Sequence, residues 1–219
     1  MRILIPHDPS LDTSRHPFEQ SPWPAKWVGH PDHFGQESVV IAYRRPFALA
    51  ERSTVRIHTT ADQRYELFLD GQRIGRGSER GDLRNWFYES HDLDLAAGEH
   101  MLVARTWWLT AEAPSPYAQM SVRPGFFLMA EGPLGETVTT GVAPWECKVL
   151  GGYSFEAPAP PRSFCVVGAR TRIRGADFPW GFERGLGDGW QPVRILAKAA
   201  VAAAVGENPR EWMLRPALL

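Results

Sequence analysis

The chain has 219 residues, enough to bury a sizeable core as one main domain, and its 43% hydrophobic and 22% charged residues are ordinary for a globular protein. A formal net charge of -1, with arginines dispersed from Arg44 to Arg215, gives no field that would draw the chain onto phosphate backbones or anionic lipid. No apolar stretch is long enough to span a bilayer, so neither nucleic acid nor membrane is expected as a partner.

Met1 to Asp8 break at Pro6 after three apolar residues, too short for the core of a signal peptide. The expectation is a cytoplasmic protein, or a secreted one whose leader lies outside this sequence. Residues 10 to 24 are polar and carry Pro17, Pro22 and Pro24, so residues 1–25 read as an extended arm lying on a folded body. Lys26-Trp27-Val28-Gly29 and Ser38 to Arg45 are rich in β-branched and aromatic residues and bounded by Gly and Pro, which predicts the first strands.

Val55-Arg56-Ile57-His58-Thr59 alternates apolar and polar residues, as a half-buried strand requires. Tyr65 to Leu69 runs into Asp70-Gly71 and resumes at Arg73-Ile74, a hairpin whose turn needs positive φ. Trp86 to Leu93 predicts another strand, and Ala97-Gly98 turns into a long, central strand from His100 to Leu109. Further strands are expected at Phe126–Ala130, Thr137–Thr140, Glu146–Leu150 and Phe164–Val167. Turn-rich spacing of this kind suits a sandwich.

Ile195 to Val205 is Ala-rich and closes at Gly206, which predicts a helix on propensity. Trp212 to Leu219 reads as an apolar strand leading toward something absent. Cys147 and Cys165 sit in strand-like settings and are compatible with buried thiols or one disulfide, reduced thiols being the expected state.

The run Ala61 to Gly77, with Tyr65-Glu66-Leu67-Phe68-Leu69-Asp70-Gly71-Gln72-Arg73-Ile74, resembles the N-terminal β-sandwich region that bacterial α-L-rhamnosidases carry before their catalytic barrel. The order continues through Arg80-Gly81-Asp82, Trp86 to Leu93 and Leu95 to His100. Phe178-Pro179-Trp180-Gly181-Phe182, Asp188 to Val193 and the closing Trp212 to Pro216 fit as well. The resemblance spans roughly Trp27 to Leu219. It implies an all-β, jelly-roll-like (galactose-binding-like) antiparallel β-sandwich over residues 26–195, with 196–219 leading toward a missing catalytic domain. Because the family's acidic catalytic residues would lie beyond Leu219, no catalytic residue is expected within this chain. The catalytic domain of a parent enzyme is the expected partner.

Glycoside hydrolysis needs two carboxyl groups flanking one bond. Asp62, Asp82, Glu89, Asp92, Glu146, Asp177, Glu183 and Asp188 are conceivable, but most acids beside turns cap them or meet solvent. Nine tryptophans allow a sugar platform, because aromatic faces stack on pyranose rings while Arg, Asn and Asp bond hydroxyls. The candidate carbohydrate-binding residues are Trp86, Tyr88, Trp107, Trp108, Trp180, Arg64, Arg80, Asp82 and Asn85. Trp107 and Trp108 must point to opposite faces of their strand, so one of them packs. His30-Pro31-Asp32-His33 lacks the further clustered ligand a zinc site requires, and no nucleotide or nucleophile-elbow motif occurs, so neither metal nor cofactor is expected.

The reading is a non-catalytic accessory module of an α-L-rhamnosidase-like glycoside hydrolase that supports the catalytic domain, with rhamnose-containing carbohydrate as a second candidate partner after that domain. A free-standing lectin-like protein and a purely structural interaction domain are the alternatives.

Overall fold

The computed structural model describes residues 1–6, 8–9, 23–110, 121–156, 169–201 and 212–218. The expected strand at Phe164–Val167, Cys165 and most of the arm fall outside them. The long pairing that organises the fold joins β3 (Val39–Leu49) to β8 (Gly98–Trp108), in register from Val39 opposite Trp108 to Leu49 opposite Gly98. Along β8 alternate residues leave on opposite faces: Leu102, Ala104 and Trp108 enter the main core, and Met101, Val103 and Trp107 pack on the other side.

β8 is interior to a six-stranded sheet. Its order is β13 (Gln191–Pro192), β10 (Glu146–Val149), β3, β8, β5 (Arg64–Leu69) and β6 (Gln72–Gly77). The second sheet runs β14 (Arg194–Lys198), β2 (Lys26–Gly29), β9 (Gly125–Ala130), β4 (Ser53–Asp62), β7 (Trp86–Leu95), β16 (Met213–Pro216) and β15 (Ala200–Val201). β1 (Arg2–Ile3) also pairs with β7. A separate ribbon joins β11 (Tyr153–Glu156) to β12 (Arg170–Ile173).

The two sheets enclose the largest apolar cluster, in which Tyr43 stacks on Phe126 at 5.2 Å and Trp145 meets the same ring edge-on at 5.5 Å. Each fully buried side chain of this size contributes about 1.5–3 kcal/mol over an exposed one. The chain is an all-β sandwich with open sheets, as expected. The Asp70-Gly71 turn also forms: both residues have positive φ, 51° and 83°, the conformation of a two-residue hairpin turn.

Two expectations are corrected. Thr137–Thr140 is not a strand; Gly135–Val138 forms a single helical turn, α1. The hydroxyls of Thr139 and Thr140 accept the amides of Ala130 and Leu128, at 3.1 Å each, beside single backbone bonds from Thr140 to Leu128 and from Lys26 to Thr140, so threonine side chains supplement a pairing too short to be a strand. Ile195 to Val205 is not a helix where it is described: β14 pairs antiparallel with β2, and β15 pairs parallel with β16. Pairing with a sheet outweighs alanine's helix propensity there, and residues 202–205 lie outside the described residues.

The strand expected after Trp212 forms. Met213 to Pro216 adds to β7 as a parallel strand, and Trp212 is fully buried, stacked on Trp27 at 4.4 Å.

Candidate functional site

A concavity of about 850 Å³ opens at the end of the β5–β6 hairpin remote from its turn. β5 brings Arg64, Tyr65 and Glu66 to it, β6 and the residues after it bring Arg76 to Arg80, and the end of β8 brings Arg105 and Trp107. The β11–β12 ribbon supplies an aromatic wall through Tyr153 and Phe155.

The floor is a carboxylate that an apolar core would not ordinarily admit. On β7 the side chains of Leu93 and Leu95 enter the core between the sheets, and by the period of two Glu89 and His91 share their face. Both are buried beneath β6, where the absence of side chains at Gly75 and Gly77 leaves the space. Glu89 accepts the Tyr65 hydroxyl on one oxygen at 2.7 Å and the Glu79 amide on the other, also at 2.7 Å. Burial pushes the Glu89 carboxyl up to about 7, although both donors and the charge of Arg2 pull the other way. The Tyr65 hydroxyl lies well above its usual range, through burial first and then its carboxylate partner.

The rim is charged and largely self-paired. Arg105 meets Glu66, donates to the Tyr153 hydroxyl at 2.8 Å and lies 4.5 Å from the Trp107 ring centroid, a cation–π arrangement. Glu66 also accepts Arg73 at 2.8 Å. Burial alone would raise the Glu66 pKa; the two guanidiniums outweigh it and hold the carboxyl below the usual range. Arg64 is shifted down, chiefly by burial and then by the neighbouring charge of Arg80.

Of the nine residues singled out from sequence, Trp107, Arg64 and Arg80 line this cleft. Trp108 lies in the inter-sheet core, while Trp86 and Tyr88 pack with Trp27 and Trp212 on the outer face of the larger sheet. Those three are packing residues, and none is open to a ligand. Asp82 and Asn85 bond each other at 3.0 Å in a short loop before β7. Trp180 is 75% exposed, away from the cleft, with its indole N–H on the Gly175 carbonyl and its ring edge-on to Phe178.

Sequence reasoning missed Tyr65, Glu66, Arg76, Arg105 and Tyr153 as site residues, and treated Glu89 as one acid among many. Its signal was present: Glu89 shares the inward face of its strand with Leu93 and Leu95.

The other strongly shifted carboxyl, Asp62, is structural. It is fully buried and accepts Ser121, the amides of Val122 and Arg123, and the Trp212 indole at 3.0 Å. Burial raises it to about 6 despite these four donors. His30 has its ring nitrogens against the Asp32 amide at 3.2 Å and Gln191 at 2.8 Å. Among the described residues no group of three or more His, Cys, Asp or Glu could hold a metal ion. Cys147 is a buried free thiol, raised to about 12 by burial first and then by the charges of Asp32 and Glu146.

These elements define an all-β sandwich with a polar cleft at one hairpin end. No protein-family model matches the chain, and no curated protein sequence does. Among solved structures, its neighbours include α-L-rhamnosidases. A GH78 family rhamnosidase of Bacillus sp. GL1 superposes with a TM-score of 0.67 at 22% identity, over 90% of this chain and 20% of that enzyme. The α-L-rhamnosidase of Aspergillus terreus gives 0.58 at 14% identity, over 80% and 21%. That of Dictyoglomus thermophilum gives 0.50 at 13%, over 90% and 22%. The chain thus spans about a fifth of the length of the enzymes it matches, and at these identities the likeness is one of fold.

Proposed function

We propose that the chain is a non-catalytic accessory β-sandwich module of an α-L-rhamnosidase-like glycoside hydrolase, supporting the catalytic domain and contacting carbohydrate through its cleft. The observation that carries this reading is the disparity of coverage: nearly the whole chain superposes on a fifth of a rhamnosidase. The chemistry of the cleft agrees with it. Hydrolysis needs one carboxylic acid and one carboxylate free to face a glycosidic bond. Here Glu66 is held by two arginines, and both oxygens of Glu89 are engaged by Tyr65 and Glu79. The exposed Trp180 and Leu186, 75% and 56% accessible, offer apolar contact to an adjoining domain.

A free-standing carbohydrate-binding protein is the second reading, favoured by the aromatic wall beside paired polar groups. Titration of the intact chain with rhamnose-containing oligosaccharide, followed by tryptophan fluorescence, tests the sugar contact that both readings share. Saturable quenching that Trp107→Ala removes and Trp180→Ala leaves intact is expected. Quenching that survives Trp107→Ala places the contact elsewhere and overturns the assignment to this cleft.

A further inference from the structure

The charges around the cleft are unequal. Among the described residues five arginines line it, Arg2, Arg64, Arg76, Arg80 and Arg105, against three glutamates, Glu66, Glu79 and Glu89. Glu66 is already shared between Arg105 and Arg73, a residue outside the lining. Glu89 lies buried at the floor with both oxygens engaged from within the protein. That leaves the rim with more guanidinium than carboxylate, whatever the partners of its individual arginines. The effect of Arg80 on Arg64 shows that two of them lie close enough to feel each other's charge. Like charges brought together at a concave surface raise the local concentration of anions. The arginine fork matches a carboxylate with two parallel N–H donors.

The cleft is also shaped for more than a bare ion. At about 850 Å³ it has the volume of a small-ligand site. Trp107, Tyr153 and Phe155 give it an aromatic side, as the apolar face of a pyranose requires. We propose that this cleft binds an acidic saccharide, a sugar unit whose carboxylate is taken by the rim arginines while its ring lies against the aromatic wall. The inference rests on the carbohydrate contact proposed above and adds the charge of the ligand to it.

Calorimetric titration of the intact chain at neutral pH and low salt tests it, with methyl β-D-glucuronide, methyl β-D-glucoside, methyl α-L-rhamnoside and inorganic phosphate as separate probes. The glucuronide is expected to bind about tenfold or more tighter than either neutral glycoside, the discrimination of one charge-assisted pair. Added salt weakens it, phosphate binds more weakly, and exposed Arg76→Gln reduces glucuronide affinity with no change in thermal melting. Trp107→Ala reduces it too.

Equal affinity for glucuronide and a neutral glycoside overturns the acidic ligand and leaves the sugar contact standing. Phosphate binding as tightly as glucuronide overturns the saccharide. Glucuronide binding unaffected by both Arg76→Gln and Trp107→Ala removes it from this cleft, and no binding of any glycoside overturns this inference and the sugar contact together.

Discussion

A Cβ placed on Gly77 would lie 2.6 Å from the carboxyl carbon of Glu89 and 2.6 Å from Cε1 of Tyr65, so the glycine and the buried carboxylate occupy one space between two sheets. Gly75 stands in the same relation to His91, with the added carbon 2.5 Å from Cε1 of the ring. Two glycines on β6 thereby admit two polar side chains of β7, spaced two residues apart on both strands.

Gly77→Ala is therefore expected to destabilise the chain by about 1–3 kcal/mol, the usual cost of overpacking where neighbours cannot retreat. Urea unfolding measures it. Because the clash is with Glu89, the cost should shrink when Gly77→Ala is combined with Glu89→Ala. Full additivity in that double-mutant cycle contradicts the shared space.

Gly71→Val is expected to cost about 1–3 kcal/mol for two reasons that act together. Gly71 has φ of 83°, where a β-branched residue is strained, and an added Cβ would lie 2.8 Å from Cγ of Arg184. A thermal melting point equal to the parent's contradicts the turn geometry.

Glu89 and His91 predict opposite dependences of stability on pH. The folded pKa of Glu89 is raised to about 7, so between its ordinary value near 4.5 and 7 the unfolded chain releases a proton that the folded chain keeps. That contribution is full below 4.5 and is lost as pH rises to 7. Burial, the N-terminal ammonium, Arg2 and His58 lower His91 to about 4, so its contribution is present above 6.5 and is lost as pH falls to 4. Each amounts to roughly 3 kcal/mol, and across their common window they oppose each other. Urea unfolding at a series of pH values should show Glu89→Gln gaining stability relative to the parent as pH rises from 5 to 7. His91→Gln should gain relative to the parent as pH falls from 6 to 4. Differences that stay flat with pH refute the burial of these groups.

What the sequence made legible was whatever is local in period and turn chemistry. Val55 to Thr59, the Asp70-Gly71 hairpin and the opposition of Trp107 to Trp108 all follow from alternation over a few residues. Thr137–Thr140 failed because the chain turns helically through Val138 and only Thr140 reaches its neighbours with backbone bonds, and Ile195 onward failed because pairing with a distant β2 outweighed alanine. The site was harder still. Trp86, Tyr88 and Trp108 carry the aromatic chemistry of a sugar platform, and only their burial, on the outer face of the larger sheet for the first two and between the sheets for the third, reveals them as packing. Glu66, Arg105 and Tyr153 converge from three strands separated by up to 87 residues, a proximity no local pattern encodes. Glu89 stands where the strand's period would accept an apolar residue, a local signal that the many other acids of the sequence obscured.

The central claim, that this sandwich binds sugar without cleaving it, is tested most directly by incubating the intact chain with an aryl α-L-rhamnoside and following release of the phenol. No release above the uncatalysed rate is expected at any pH from 4 to 8. Turnover that disappears in Glu89→Gln or Glu66→Gln while the fold survives would contradict the account.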